Sequence, residues 1–461
     1  MRTLKRFLLP LLPLFVAVPL FAFTPVITSN ASQNAGTVRA VMEPVISVMS
    51  LNGVTHGNVA YINFPNAANA PVSAQIQVAH TYDFVNWSAP VTLPLNATNG
   101  ITYQNSADPV FIEYGPYLAF YTNWLWCFGT MWTNGNNNGR SAIAAWHSAD
   151  GGLTWSQPDA IDVAPYDPSC ESNGSCIFED KPAVAMSPDS GVIYVAFTRE
   201  TQVPENTQIY MTELNPSRGW INVGRIGDAS MPSLPGPTPV VDPTSNMKYV
   251  FVMDRPNQTI RTFASGDGWI WNELETGSAP GINVSALVAG TKADGSQVFV
   301  QAVPFMSAKF DTFYHYIDVT YHCQDTGSTP HAIYRRFVPF SHVWTQHIVL
   351  NGNGHTQWNP AINQLSNGHF VFTYYDYTPG QAGYTLYATR VDLYGQSAET
   401  TRIFPSALSL PAGYNVDPSN GLSRIGEYQG LAVFNDELYA ATTYIPQSGV
   451  GNAWMVKFTT P

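Results

Sequence analysis

Apolar residues in this chain fall in short runs separated by polar turns, and the runs repeat as a unit. The unit is a polar or acidic residue, often a proline, a short apolar strand, a turn, and a second strand rich in Tyr, Val, Ala and Phe. Glu43-Pro44-Val45-Ile46 leads to Val59-Ala60-Tyr61-Ile62, and Asp108-Pro109-Val110-Phe111 leads to Tyr117-Leu118-Ala119-Phe120-Tyr121. Asp180-Lys181-Pro182-Ala183-Val184 is followed by Ile193-Tyr194-Val195-Ala196-Phe197. Weaker copies begin at Pro237 and Ile282, the latter continuing as Val298-Phe299-Val300. Asn359-Pro360-Ala361-Ile362 leads to Phe370-Val371-Phe372-Thr373-Tyr374, and Gly426-Glu427-Tyr428-Gln429-Gly430 to Leu438-Tyr439-Ala440-Ala441. Most copies continue into an outer hairpin carrying a Trp, such as Trp87, Trp155, Trp220, Trp271 or Trp344. No sustained helical spacing follows the N-terminus.

Repeats of this size, each holding four short strands, predict an all-β fold: a single β-propeller of four-stranded blades. One blade cannot bury both faces, so neighbours must stack. The count favours seven blades, with six as the alternative because the copy at Ile282 is long and irregular. The last copy stops after three strands, at Lys457-Phe458-Thr459. An N-terminal strand around Thr37-Val38-Arg39-Ala40-Val41 is expected to supply the fourth, closing the ring and removing an open edge.

Arg2, Lys5 and Arg6 precede an apolar run from Phe7 to Phe21. A basic segment followed by a run too short to span a bilayer reads as a signal peptide over 1–22. A flexible segment over 23–35 and the propeller over 36–461 complete the expected organisation of a secreted or periplasmic protein, read as a monomer. The formal charge of −12 argues against nucleic acid and anionic membranes as partners and points to a neutral glycan. Nothing after the signal segment is apolar enough to insert in a membrane. Cys170 and Cys176 bracket a short polar loop and are expected to pair in an oxidising compartment. A bridge between Cys127 and Cys323 has less support. No His lies at zinc-ligand spacing near the pair, so no metal site is assigned.

Ser148-Ala149-Asp150-Gly151-Gly152-Leu153-Thr154-Trp155 reads S-x-D-x-G-x-x-W. Ser148 and Asp150 can hydrogen-bond the N–H groups of their own turn, Gly152 allows a positive φ, and Trp155 returns to bury an apolar face. This stretch resembles the Asp-box hairpin of the sialidase-superfamily β-propellers. Thr81-Tyr82-Asp83-Phe84-Val85-Asn86-Trp87 is similar to the corresponding hairpin of arabinanase and xylosidase propellers. As a repeat architecture the resemblance spans the whole chain after the signal segment. It implies a glycan partner and, by analogy, glycoside hydrolysis; both groups also contain inactive or binding relatives. The early Arg-Ile-Pro element and the arginine triad of true sialidases are not recognisable, and Arg402-Ile403-Phe404-Pro405 reads as an outer strand. That argues against sialic acid.

Residues leading the innermost strands converge on the propeller axis. Glu43, Asp108, Asp180, Asn359 and Glu427 occupy those positions in the repeat. Paired carboxylates suit glycoside hydrolysis, one protonating the leaving oxygen and the other acting as nucleophile or base. Asp108 and Asp180 are the first candidates, then Glu427 and Glu43. The resemblance offers Tyr428 as a nucleophile beside Glu427. Arg424, Lys181 and Asn359 are candidate anchors for the substrate. Trp124 and Trp126 are read either as a sugar-stacking rim or as packing on the adjacent blade. The competing roles for the acids are strand capping and a structural Ca²⁺ site; no other cofactor is expected. Asp83 and Asp150 are assigned to turns, and Trp87 and Trp155 to blade packing. Two carboxyls about 5–10 Å apart across an open pocket would mark a hydrolase. Carboxylates tied up in hydrogen bonds would mark a binding propeller.

Overall fold

A computed structural model describes residues 23–33, 40–64, 74–113, 124–133, 139–173, 175–202, 205–215, 217–227, 236–274, 276–282, 286–292, 294–324, 329–345, 347–392, 394–404, 408–409, 422–445 and 451–459. The expected signal peptide lies outside the described residues. Among the described residues, no helix is long and apolar enough to cross a membrane.

Seven antiparallel sheets of four strands or more form the propeller. The innermost strands of blades 1 to 7 are Ala40–Leu51, Asn105–Glu113, Ile177–Met186, Thr238–Val241, Ser307–Phe310, Thr356–Gln364 and Gly430–Phe434. Each leads a meander outward, so the strands between the innermost and the outermost are paired on both sides. Both faces of the inner strands meet neighbouring blades, and Ala40 to Met49 are all buried. Large aromatics fill the wedges between blades: Trp146, Trp358, Tyr61, Tyr321 and Tyr439 are almost fully buried.

The ring closes through the N-terminal region, from further upstream than the hydrophobic pattern suggested. Thr24–Asn30 pairs antiparallel with Asn452–Thr459 and becomes the outer strand of blade 7. That stretch falls inside the segment expected to be flexible. Of the expected closing segment, Thr37 to Arg39 lie outside the described residues, and Ala40-Val41 open the inner strand of blade 1. The copy at Ile282 is also reassigned. Ala286–Thr291 and Gln297–Gln301 form a hairpin outside the blades, pairing in parallel with Ser423–Arg424. Blade 5 starts at Ser307, because the second half of its long irregular unit supplies the true inner strand.

The outer turns form as local chemistry dictates. Ser148 Oγ donates to Asp150 Oδ1 (2.7 Å) and accepts from Gly152 N–H (2.7 Å). Asp150 accepts from the N–H groups of Leu153 and Thr154 at 3.0 and 2.9 Å, and Trp155 Nε1 donates back to Gly152 O (3.2 Å). Gly152 has φ 105°, and a Cβ there would lie 1.8 Å from Asn58 Oδ1. Ser265 and Asp267 are wired in the same way, with Trp271 Nε1 donating to Gly268 O (3.0 Å). In the hairpin at Thr81 and Asp83, the Trp87 indole instead donates to Ser29 Oγ (2.9 Å), and Ser29 Oγ donates to Phe84 O (2.7 Å). Ser29 thus fastens the closing strand of blade 7 to blade 1. Cys170 and Cys176 are bridged; Cys127 and Cys323 are both buried and no disulfide joins them, so the second pairing does not form.

Replacing Ser29 with Ala leaves a buried carbonyl and a buried indole N–H without their shared hydroxyl. Chemical denaturation is expected to show a loss of about 1–3 kcal/mol; an unchanged midpoint would show that this latch contributes nothing to closure.

Candidate functional site

Four inner strands share one backbone device. Glu43, Asp108, Lys181 and Asn359 each precede a proline and have φ of 52°, 56°, 51° and 49°. Pairing with the second strand slips at each of these points. Proline cannot donate to the ladder, so the strand bulges there. A left-handed non-glycine residue costs about 1–3 kcal/mol and persists only when its surroundings impose it. The bulge gives the side chain before each proline an equivalent placement in blades 1, 2, 3 and 6. This corrects the register in blade 3: Lys181, not Asp180, is the counterpart of Glu43 and Asp108.

The consequence is a cluster built around one ammonium. Lys181 Nζ lies 3.4 Å from Glu43 Oε1 and 3.0 Å from Glu427 Oε2, and it also contacts Asp108 Oδ1. Glu43 and Asp108 are buried, while the Glu427 side chain retains 23% of its exposure. Glu427 lies just before the inner strand of blade 7, and its N–H donates to Glu43 Oε1 (3.3 Å). The neighbouring Gly426 adopts φ 101°, and a Cβ there would sit 2.7 Å from Glu43, so only glycine lets the two segments approach. Asn359 Nδ2 donates to Gly426 O (2.9 Å), and Gln429 Nε2 to Asn359 O (2.8 Å), tying blade 6 to blade 7.

The acids are driven apart in protonation. Burial pushes the Glu43 carboxyl up to about 8; the Lys181 charge opposes this, and those of Asp108 and Glu427 add to it. Burial also disfavours charge on Asp108, but the Lys181 ammonium and hydrogen bonding from Glu43, Lys181 and Asp180 outweigh it and hold that carboxyl below its ordinary value. Asp180 stays well above the usual range, through burial and then the Asp108 charge. Burial opposes charge on Lys181, yet Asp108, Glu427, Glu43 and Asp180 together keep it protonated far above its ordinary range. Asp108 is therefore the ionised member, and Glu43 holds its proton at neutral pH.

A cavity of about 280 Å³ runs along the axis beside this cluster. Lys181, Glu427, Tyr428 and Gln429 supply its polar lining; Phe305, Phe111, Val45, Val184 and Leu431 contribute to the apolar walls. Tyr428 is not a free nucleophile. Its hydroxyl donates to Pro109 O (3.3 Å), and burial, then the charges of Glu43 and Asp108, push its proton loss far upward. The position a Ca²⁺ ion would take among the three carboxylates is filled by the Lys181 ammonium.

The remaining candidates lie elsewhere. Trp124 stacks on His147 with centroids 4.2 Å apart, and Trp126 is buried against Trp220 between blades 2 and 3, so the two pack and do not form a sugar-binding rim. Arg424 falls on the short strand paired with the extra hairpin, and its side chain lies outside the described residues. Phe305 and Gln429 were not singled out by sequence; Gln429 lies inside a quoted repeat copy, whereas Phe305 carries no local signal at all.

No family model matches this sequence, and no curated protein does. Solved structures do. A Hadza microbial sialidase, Hz136, aligns at a TM-score of 0.50 and 12% identity over 76% of this chain; the chain spans 66% of the length of that sialidase. A protein of unknown function from Dyadobacter fermentans DSM 18053 aligns at 0.51 and 10% identity, over 95% of this chain and 100% of that one. The α-L-arabinanase of Penicillium chrysogenum, at 0.48 and 11% identity over 95% of this chain and 98% of that one, is too distant to carry an argument. At these identities the likeness extends to the propeller fold alone.

Replacing Lys181 with Met removes the shared cation and leaves the carboxyls facing one another. At pH 7 the variant is expected to lose about 3–5 kcal/mol in urea unfolding. The deficit should shrink toward pH 4, because the variant's crowded acids gain stability on protonation; in the wild type the Asp108 contribution is lost only below the ordinary carboxyl range. A deficit independent of pH would disprove the cluster. In the wild type, Glu43 keeps its proton to about 8 in the fold against 4.5 ordinarily, so the folded state binds more protons between those values. Its contribution to stability therefore falls as pH rises through that window, and Glu43→Gln should flatten this part of the pH–stability curve.

Proposed function

We propose that this protein recognises a glycan at its central channel and, with Lys181 seated among its carboxylates, binds that glycan without cleaving it. One observation carries the reading: the Lys181 ammonium occupies the gap between Glu43, Asp108 and Glu427. Glycosidic cleavage needs two carboxyls about 5–10 Å apart with the scissile bond between them. Here the space between the acids is filled. The sialidase-type architecture, the apolar cavity wall and the polar group at its end all suit a sugar, which presents a C–H face and hydroxyls. Export to an oxidising compartment fits the Cys170–Cys176 bridge and the basic-then-apolar N-terminus. The protein would act there as a monomer, away from nucleic acid and without inserting in a membrane.

Hydrolysis is the second reading, and a specific observation favours it. Glu43 is held protonated and Asp108 ionised at neutral pH, the division of labour that an acid and a base require. Cleavage by this pair would require Lys181 to swing out.

A panel of chromogenic glycosides and a direct binding assay separate the two. We expect no turnover, together with saccharide binding that Glu427→Gln weakens about tenfold, as loss of one charge-assisted hydrogen bond would. Turnover abolished by both Glu43→Gln and Asp108→Asn would replace the binding reading with the hydrolytic one.

A further inference from the structure

We infer that the extra hairpin and the segment after it make the channel a pocket for a single neutral sugar ring, with Phe305 as its specificity-determining side chain. The inference rests on the glycan reading above.

The hairpin Ala286–Gln301 belongs to no blade, yet it is anchored firmly. Thr291 N–H donates to Gln381 O (2.8 Å) on the loop between the second and third strands of blade 6. Gly290 packs against Ala382, where a Cβ would approach to 2.8 Å. Leu287, Ala289, Val298 and Val300 are buried in the core shared with Trp358, Tyr375 and Tyr384. Its second strand pairs in parallel with Ser423–Arg424, directly before the segment carrying Glu427. The hairpin is therefore held on blade 6 and the adjoining core, and it fixes the start of the segment that follows it. The chain then descends from Ala302 to the inner strand of blade 5 and carries Phe305 into the cavity.

Phe305 meets the polar cluster there. Its ring centroid lies 6.5 Å from that of Tyr428, at 69°, and 5.5 Å from Lys181 Nζ. Gly236 makes room for it: a Cβ on that residue would fall 2.9 Å from Lys181 Cβ and 3.1 Å from the Phe305 ring. The result is an aromatic corner beside a carboxylate and an amide, the combination that takes one C–H face and the adjoining hydroxyls of a sugar. At about 280 Å³ the cavity lies just below the range of about 300–1,000 Å³ that holds drug-sized ligands, which is room for one sugar ring. Its charge selects further. Among the described lining residues Lys181 is the one cation, already shared by the carboxyl groups of Glu43, Asp108 and Glu427, and Glu427 itself lines the cavity. A sugar carboxylate or sulfate would meet that acid, and Arg255, a further cation within electrostatic reach of Glu427, is not among the described lining residues, so the ligand is neutral.

Titration calorimetry tests this with methyl glycosides of glucose, galactose, mannose, xylose and arabinose, and with methyl glucuronide, on the full chain. At least one neutral glycoside should bind the wild type, at least tenfold more tightly than the glucuronide. Phe305→Leu, which keeps apolar volume and loses the ring, should weaken binding about tenfold, while Phe305→Tyr should stay within about twofold. Circular dichroism of each variant confirms the fold. Unchanged affinity in Phe305→Leu overturns the aromatic corner and leaves the glycan reading standing. Tighter binding of the glucuronide overturns the neutral ligand. A wild type that binds none of these sugars removes the glycan reading and this inference with it.

Discussion

The partly buried ammonium of Lys181 is the constraint on which the centre of this molecule turns. Three carboxyl groups from blades 1, 2 and 7 face one another across the axis, where water is scarce and like charges repel strongly, so Glu43 keeps its proton. Lys181, contributed by blade 3, is the counter-charge that lets them coexist. A buried ion pair adds little over well-packed apolar side chains, but removing one partner leaves an uncompensated charge. The cluster therefore acts as a specificity device: blades 1, 2, 3 and 7 must arrive in register or the charges are left unpaired.

That register is set by backbone chemistry before any charge is considered. A proline in the inner strand cannot donate to the ladder, and in blades 1, 2, 3 and 6 the strand bulges there with the preceding residue in the left-handed region, whereas Pro239 of blade 4 pairs without a slip. The same device recurs at Glu43, Asp108, Lys181 and Asn359, and the identity of the side chain alone decides what each blade brings to the centre. Asn359 brings an amide and is used to bind blade 7 through Gly426. The strain of four such residues is held in place by closure of the ring, which the Thr24–Asn30 strand and its Ser29 latch complete.

Much of this was legible in the chain, and the reason is locality. The blade repeat, the turn at Ser148 to Trp155 and the Cys170–Cys176 bridge all join residues within a few positions of one another, so their patterns survive in one dimension. The errors have the opposite cause. Asp180 and Lys181 both precede Pro182 and differ only in which one takes the left-handed conformation, a choice set by pairing with the second strand. The Ile282 copy carried strand-like residues but was claimed by blades 6 and 7 instead of forming a blade. The closing strand was sought too near the repeat because any β-rich N-terminal segment satisfies the same edge. For Trp124 and Trp126 the sequence leaves a rim and blade packing equally open, because the pattern does not tell which end of a strand faces which partner.

Periodicity and turn chemistry determined by themselves that this chain is an all-β propeller with polar residues leading its inner strands. Those signals are repeated, short-range and written in residue type. Only the tertiary structure decided that Lys181 would neutralise the acids instead of leaving them open, that Glu43 would keep its proton while Asp108 lost it, and that Phe305 would enter the channel. Each of these depends on distances between residues from different blades, and on the burial those distances create; no spacing along the chain encodes either.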